Sequence, residues 1–350
     1  MSIWYVFPKW HKVSFSLIAM KHVDYMREKI RVETIDELAF PHIAPSSRPL
    51  VIIHPYFFIM VRSSRFIARK LHMYRGFIGV DVCDSDHISY FATTMTDYAR
   101  RMVVPSTYCK EVYEKSGVRV PVDVVPHGVD PNWYDDPPKV TDIVTDIIRL
   151  KKGRRLKLLL YFLMHSADRK GFPELYEFYR RLRRERKDVL LIVKTATNDG
   201  KELRMLKRLG IINIYGWLTD DEKMSLYDVS DLYCLFTRGG GFELNGLEAL
   251  ARGVPIIAHD KGSWAEYMPD FLTVPHKHRV IVMQDNPIHD GYGYTIDVEK
   301  ALDKAHEILD NLDDYRARVR EYAQKVLKSR FRWDLIADEL IKIVREEYNR

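Results

Sequence analysis

The stretch "RGGGFELNGLEALARGVP" (residues 238–255) decides how this chain is read. It follows the apolar run "DLYCLF" and precedes a helical pattern, so three consecutive glycines stand at a strand-to-helix junction. Glycine lets the backbone approach a ligand closely, and a helix N-terminus gathers unpaired N–H groups. Gly239, Gly240 and Gly241 therefore predict an anion site, a phosphate before anything else. Glu248 admits two readings: a contact to that ligand, or the second half of a capping box with Asn245, which needs no ligand.

A second junction precedes it. "HSADRKGFPEL" (165–175) again follows an apolar run and leads into a helix with proline in its first turn. Arg169 and Lys170 oppose the dipole of that helix, which an anion held between them explains better than two solvated surface cations. A third landmark, "VVPHGVDPNW" (124–133), closes the first half; Gly128 is expected to make a positive-φ turn, and His127 reads as an ordinary loop histidine in preference to a ligand contact.

Strand-like and helical runs alternate from end to end, which predicts an α/β fold of two Rossmann-like doubly wound domains facing a cleft. Strands are expected at residues 3–7, 50–54, 77–80, 102–105 and 122–126, then at 156–163, 189–194, 212–215, 232–236 and 254–258. The expected organisation is a first domain over 1–135, a linker over 136–155 containing a Pro-Pro pair and basic residues, and a second domain over 156–330. A final helix over 331–350 carries an apolar stripe at Leu335, Ile336, Leu340, Ile343 and Val344.

Composition sets bounds on this reading. At 350 residues the chain exceeds one ordinary core, and 46% hydrophobic with 30% charged residues describes a water-soluble protein. Cys83, Cys109 and Cys234 are scattered, outside any CxxC spacing, and suggest neither a disulfide framework nor a zinc site. The most apolar run, residues 49–61, contains His54 and Pro55 and is too short to cross a bilayer; the N-terminal "MSIWYVFPKW" reads as a strand rather than a signal segment. A cytoplasmic location is expected. Net charge is +6, with 17 Lys/Arg against 13 Asp/Glu in residues 1–134. That spread-out charge, without basic-aromatic nucleic-acid motifs, gives no reason to expect nucleic acid as a partner. The densest basic run, "RRLRRERK" (180–187), reads as a solvated helix face. Glutamine occurs only at Gln284 and Gln324, a compositional trait of hot environments.

"VVPHGVD", "RKG", "YGWLTDDEKMSLYDVSDLYCLF" and "GFELNGLEALARGVPIIA", in this order and spacing, resemble the landmarks of retaining GT-B glycosyltransferases of the family 4 type, the glycosyltransferases group 1. The resemblance covers the chain from about residue 101 onward. It implies transfer of a sugar from a nucleotide-diphosphate sugar, bound by the second domain, to a glycan, lipid or protein acceptor held by the first. The nucleotide sugar is a substrate, and neither cofactor nor metal is implied. By the same resemblance Glu248 bonds the donor's ribose hydroxyls, Lys170 and Arg169 bind the diphosphate, Gly241, Phe242, Glu243 and Leu244 wrap sugar and phosphates, and Gly216, Trp217 and Leu218 lie where the base lodges. The C-terminal helix is expected to pack back on the first domain.

Three departures stand out. The first glutamate of the family's E-x7-E motif is Gly240 here, and a glutamate appears instead at Glu243, where glycine is usual. His165 replaces an arginine, and "KWHKVSF" replaces the glycine-rich loop after the first strand. The motif "DVCDSD" (81–86) is read as acceptor-side, with Asp81, Asp86 and His87 as candidates for the base that activates the acceptor. Peripheral contact at the inner membrane surface is an option for a lipid acceptor. Two other readings share the fold: a nucleotide-sugar 2-epimerase, and a nucleotide-sugar-binding protein without turnover.

Overall fold

The computed structural model describes residues 1–163 and 166–350. The chain divides into two units: the first comprises Met1–Gly128, Met283–Gly291 and Arg330–Arg350, the second Val129–Val282 and Tyr292–Ser329. Each is built on a six-stranded, wholly parallel sheet with helices between the strands.

In the first unit the strands lie in the order Glu33–Asp36, Ile3–Phe7, Leu50–Ile53, Gly76–Val80, Arg101–Val104, Val122–Val124. The central ones ("LVII", "GFIGV", "RMVV") are apolar but for Arg101, because helices cover both faces and leave no wet side to demand alternation. The edge strand Glu33–Asp36, "ETID", was not expected: it is polar and only half buried, so no apolar run marks it. The helix Trp333–Asn349 belongs to this unit and buries Ile336, Leu340, Ile343 and Val344, with Leu335 half buried at its border. Gly128 does not make a positive-φ turn, since it is absent from the residues with positive φ. It is small because this segment passes close by: a Cβ there would stand 2.6 Å from Ile336 Cδ1.

In the second unit the order is Thr273–Val274, Ile256–His259, Leu232–Leu235, Lys157–Leu163, Val189–Thr195, Ile211–Tyr215. The expected linker over 136–155 contains a helix, Asp142–Arg154, that belongs to this unit. An antiparallel hairpin, His276–Ile281 with Tyr292–Ile296, was also missed; its strands are short and largely polar.

Candidate functional site

Four strands of the second sheet deliver loops to one pole, their carboxyl ends. The loop after Lys157–Leu163 carries Arg169 and Lys170, and the loop after Leu232–Leu235 carries residues 236–243. The two loops are sewn together by backbone and side-chain bonds: Arg238 N–H donates to Arg169 O at 2.7 Å, and the Thr237 hydroxyl donates to Arg169 O and Gly239 O, each at 3.1 Å. Gly171, with φ +73°, caps the helix Phe172–Glu185 and faces the second loop so tightly that a Cβ would sit 1.8 Å from Phe236 O. The two junctions, expected at the mouth of one sheet, are joined there directly.

Both cations converge on one carboxylate. Lys170 Nζ donates to both oxygens of Glu243, at 2.6 and 2.7 Å, while Arg169 Nη1 donates to Gly239 O at 2.9 Å and approaches Glu243 Oε1 at 3.4 Å. Glu243 is 5% exposed in its side chain, against 16% for each cation. Its backbone is left-handed, φ 61° and ψ 62°, which costs a side chain about 1–2 kcal/mol. The Tyr267 hydroxyl holds the Glu243 carbonyl at 2.6 Å. Gly240 explains the arrangement: a Cβ there would meet Glu243 Oε1 at 2.3 Å. The carboxylate of residue 243 thus fills the space that a side chain at 240 would enter.

The capping box is not formed. The helix runs Leu244–Ala251 with Glu243 at its N-cap and no side-chain cap bond, so Asn245 lies inside it and Glu248 stands in its second turn rather than its first. Glu248, 2% exposed, accepts from Lys223 Nζ and from the Tyr227 hydroxyl at 2.9 Å. The Lys223 ammonium also lies 5.6 Å from the centre of the Trp133 ring. Gly241 and Phe242 are buried and Leu244 half buried in the same loop, and the Phe242 and Tyr267 rings stand 5.2 Å apart.

At the end of the edge strand, Gly216 takes φ +90° and Trp217 is 43% exposed, with Leu218 half buried beside it. Lys194, which sequence reasoning missed inside its apolar strand, reaches across to donate to Gly216 O and to Thr195 O. Burial and then the charge of Lys223 lower its pKa to about 8. A recess of about 170 Å³ lined by Ser166, Ala167, Thr195, Thr197 and Asp199 opens beside it. His165 lies outside the described residues.

In the first unit, Asp81 is a structural carboxylate: it is 4% exposed and accepts from the N–H groups of Phe57 at 2.7 Å and Val82 at 2.8 Å, tying down the start of the helix Tyr56–Lys70, and burial raises its pKa to about 7. Asp86 packs beside Gly291, and His87, half exposed, has Nδ1 2.6 Å from Asp290 Oδ1. His127 lies in a loop, as expected, but is buried in the core. It is 4% exposed and belongs to a buried group with His22, His54 and Trp333, beneath a Tyr5 hydroxyl that bonds Nδ1 of both His22 and His54.

Residues 144–326 match the family model described as glycosyl transferases group 1. Over 363 aligned residues, and 99% of each chain, the protein is 33% identical to Uncharacterized protein 356 of Sulfolobus islandicus rod-shaped virus 1. It is 25% identical to the lipopolysaccharide 1,2-N-acetylglucosaminetransferase of Salmonella typhimurium over 71% of this chain and 62% of that one. Among solved structures, Anabaena Alr3699/HepE, in complex with UDP and glucose, superposes with a TM-score of 0.69 at 14% identity over 99% of both chains.

Proposed function

The chain belongs to the glycosyl transferases group 1 and has their GT-B fold, and from that premise we propose that it transfers a sugar from a nucleotide-diphosphate donor with retention of configuration and without a metal, in the manner of family 4. One observation carries the reading: Arg169, Lys170 and the glycine loop come together at the carboxyl ends of one parallel sheet, where such folds bind ligands, with Glu248 on the helix that follows the loop. The UDP and glucose held by Anabaena Alr3699/HepE support a nucleotide sugar as donor.

In this reading Lys170, Arg169 and the loop N–H groups neutralise the departing diphosphate. Positioned cations and donors of this kind are typically worth about 3–4 kcal/mol each. Glu248, buried but retaining free lone pairs, accepts from the ribose hydroxyls, and Gly216 to Leu218 receive the base. Two cations and one carboxylate leave a local excess of positive charge that a diphosphate over-compensates. Donor entry therefore turns Glu243 off Lys170 and toward the sugar hydroxyls, out of the space above Gly240 that its carboxylate fills. On the acceptor side the His87–Asp290 pair is the proposed base, with Asp86 beside it. The acceptor is a glycan, lipid or protein, and a lipid acceptor would be met by peripheral contact at the inner membrane surface.

A thermal-shift panel of UDP-, GDP-, ADP- and dTDP-sugars, with Glu248→Gln alongside, tests the donor site. Stabilisation by one nucleotide sugar that the variant loses is the expected result, about 2.7 kcal/mol at a hundredfold excess over Kd. No stabilisation by any of them would defeat the reading. Products of the bound donor incubated without acceptor separate transfer from 2-epimerisation.

A further inference from the structure

The helix Tyr56–Lys70 seats Tyr56, Phe57, Ile59, Met60, Ser63 and Ile67 in the first unit. Its outer face is not the usual solvated one. Phe58, Val61 and Phe66 are 50%, 45% and 48% exposed. Arg62, Arg65 and Arg69 stand between them, and the spacing from Phe58 puts all six on one helical stripe. The helix holds four cations and no carboxylate. The Arg62 guanidinium lies 4.9 Å from the centre of the Phe58 ring and 3.4 Å from Glu37, whereas no carboxylate partner of Arg65 or Arg69 is found among the described residues. Next along the surface, Lys70 donates to Pro41 O at 2.9 Å, and Leu38 and Leu71 are 52% and 40% exposed.

The denser basic run over residues 180–187 looks different in three dimensions. Arg180 pairs with Glu177, Arg181 with Glu299, and Arg186 with Asp188 and Asp310, so much of its charge is satisfied internally.

We propose that the stripe from Phe58 to Arg69 docks the chain flat on an anionic lipid surface. Phe58, Val61 and Phe66 enter the headgroup boundary, and Arg65 and Arg69 bond lipid phosphates with their planar forks. A second copy fits poorly, because a two-fold contact would set this arginine row against itself. The inference deepens the peripheral-contact part of the proposed function and is read without turnover, so its failure leaves the transferase reading untouched.

The test is flotation of the whole chain with phosphatidylcholine vesicles, with and without about one-third phosphatidylglycerol, at low and high salt. Binding is expected only to the anionic vesicles and is expected to weaken with salt. Arg65→Ser/Arg69→Ser should lower the partition constant roughly 30-fold, and Phe58→Ser/Phe66→Ser should lower it while leaving the melting temperature unchanged. Arg184→Ser/Lys187→Ser, in the other basic run, should bind like the parent. Absence of anionic-vesicle binding, or equal binding by parent and the Arg65/Arg69 variant, overturns the proposal. So does a change of oligomeric state, or loss of single-stranded RNA binding, as the sole effect of the variants.

Discussion

Glu243→Gly is the perturbation that bears most directly on the site. In the structure one nearly buried carboxylate takes both a bidentate bond from Lys170 and the flank of Arg169. Removing one member of a buried ion pair costs about 3–5 kcal/mol; with cations 16% exposed, the lower end applies, about 3 kcal/mol. Glycine also removes the left-handed strain at φ 61°, returning about 1 kcal/mol. The net loss is about 2 kcal/mol, or a melting temperature lower by about 4–8 °C for a unit of this size. The second consequence has the opposite sign. Lys170 and Arg169 then lack their internal anion, so inorganic pyrophosphate should raise the variant's melting temperature more than the parent's. Thermal melts with and without pyrophosphate read both effects. A variant that melts at or above the parent, with equal pyrophosphate shifts in the two, would refute the idea that Glu243 restrains these cations.

Gly240→Ala places a methyl 2.3 Å from Glu243 Oε1 and should expel that carboxylate; its cost should disappear in the Glu243→Gly background, as a double-mutant cycle of melting free energies would register. Lys170→Ala should lower turnover by roughly 100-fold or more, and a variant keeping over half its turnover removes Lys170 from the mechanism. Burial lowers the pKa of His22 to about 4 and of His127 to about 3, and that of His54 well below its usual value. These depressed values mean that the unfolded chain binds more protons as pH falls from about 6.5. Stability should therefore drop through that window, opposed in part by Asp81, whose raised pKa acts with the other sign. Replacing His22 with glutamine should flatten the slope of melting temperature against pH, and an unchanged slope would disconnect the cluster from acid unfolding.

How far the sequence reaches can be judged from particular residues. Strands such as "LVII" and "KLLLYFL" were legible because a strand covered on both faces must be apolar throughout, and the glycine and arginine-lysine junctions were legible because helix starts obey local rules. The strand "ETID" and the hairpin His276–Ile281/Tyr292–Ile296 were not, since edge and surface strands carry no such burial signal. The capping box at Asn245 and Glu248 satisfied a local pattern and still did not form: tertiary partners on another helix, Lys223 and Tyr227, claim Glu248. His127 likewise looked like a loop residue and is buried, because His22, His54 and Trp333 converge on it from distant stretches of the chain. By itself the sequence determined the alternating architecture and the chemistry available at each strand end. Only the tertiary structure decided that Glu243 meets Lys170 across 73 residues of chain, because the place of a side chain missing at Gly240 can be filled only by what folds into it.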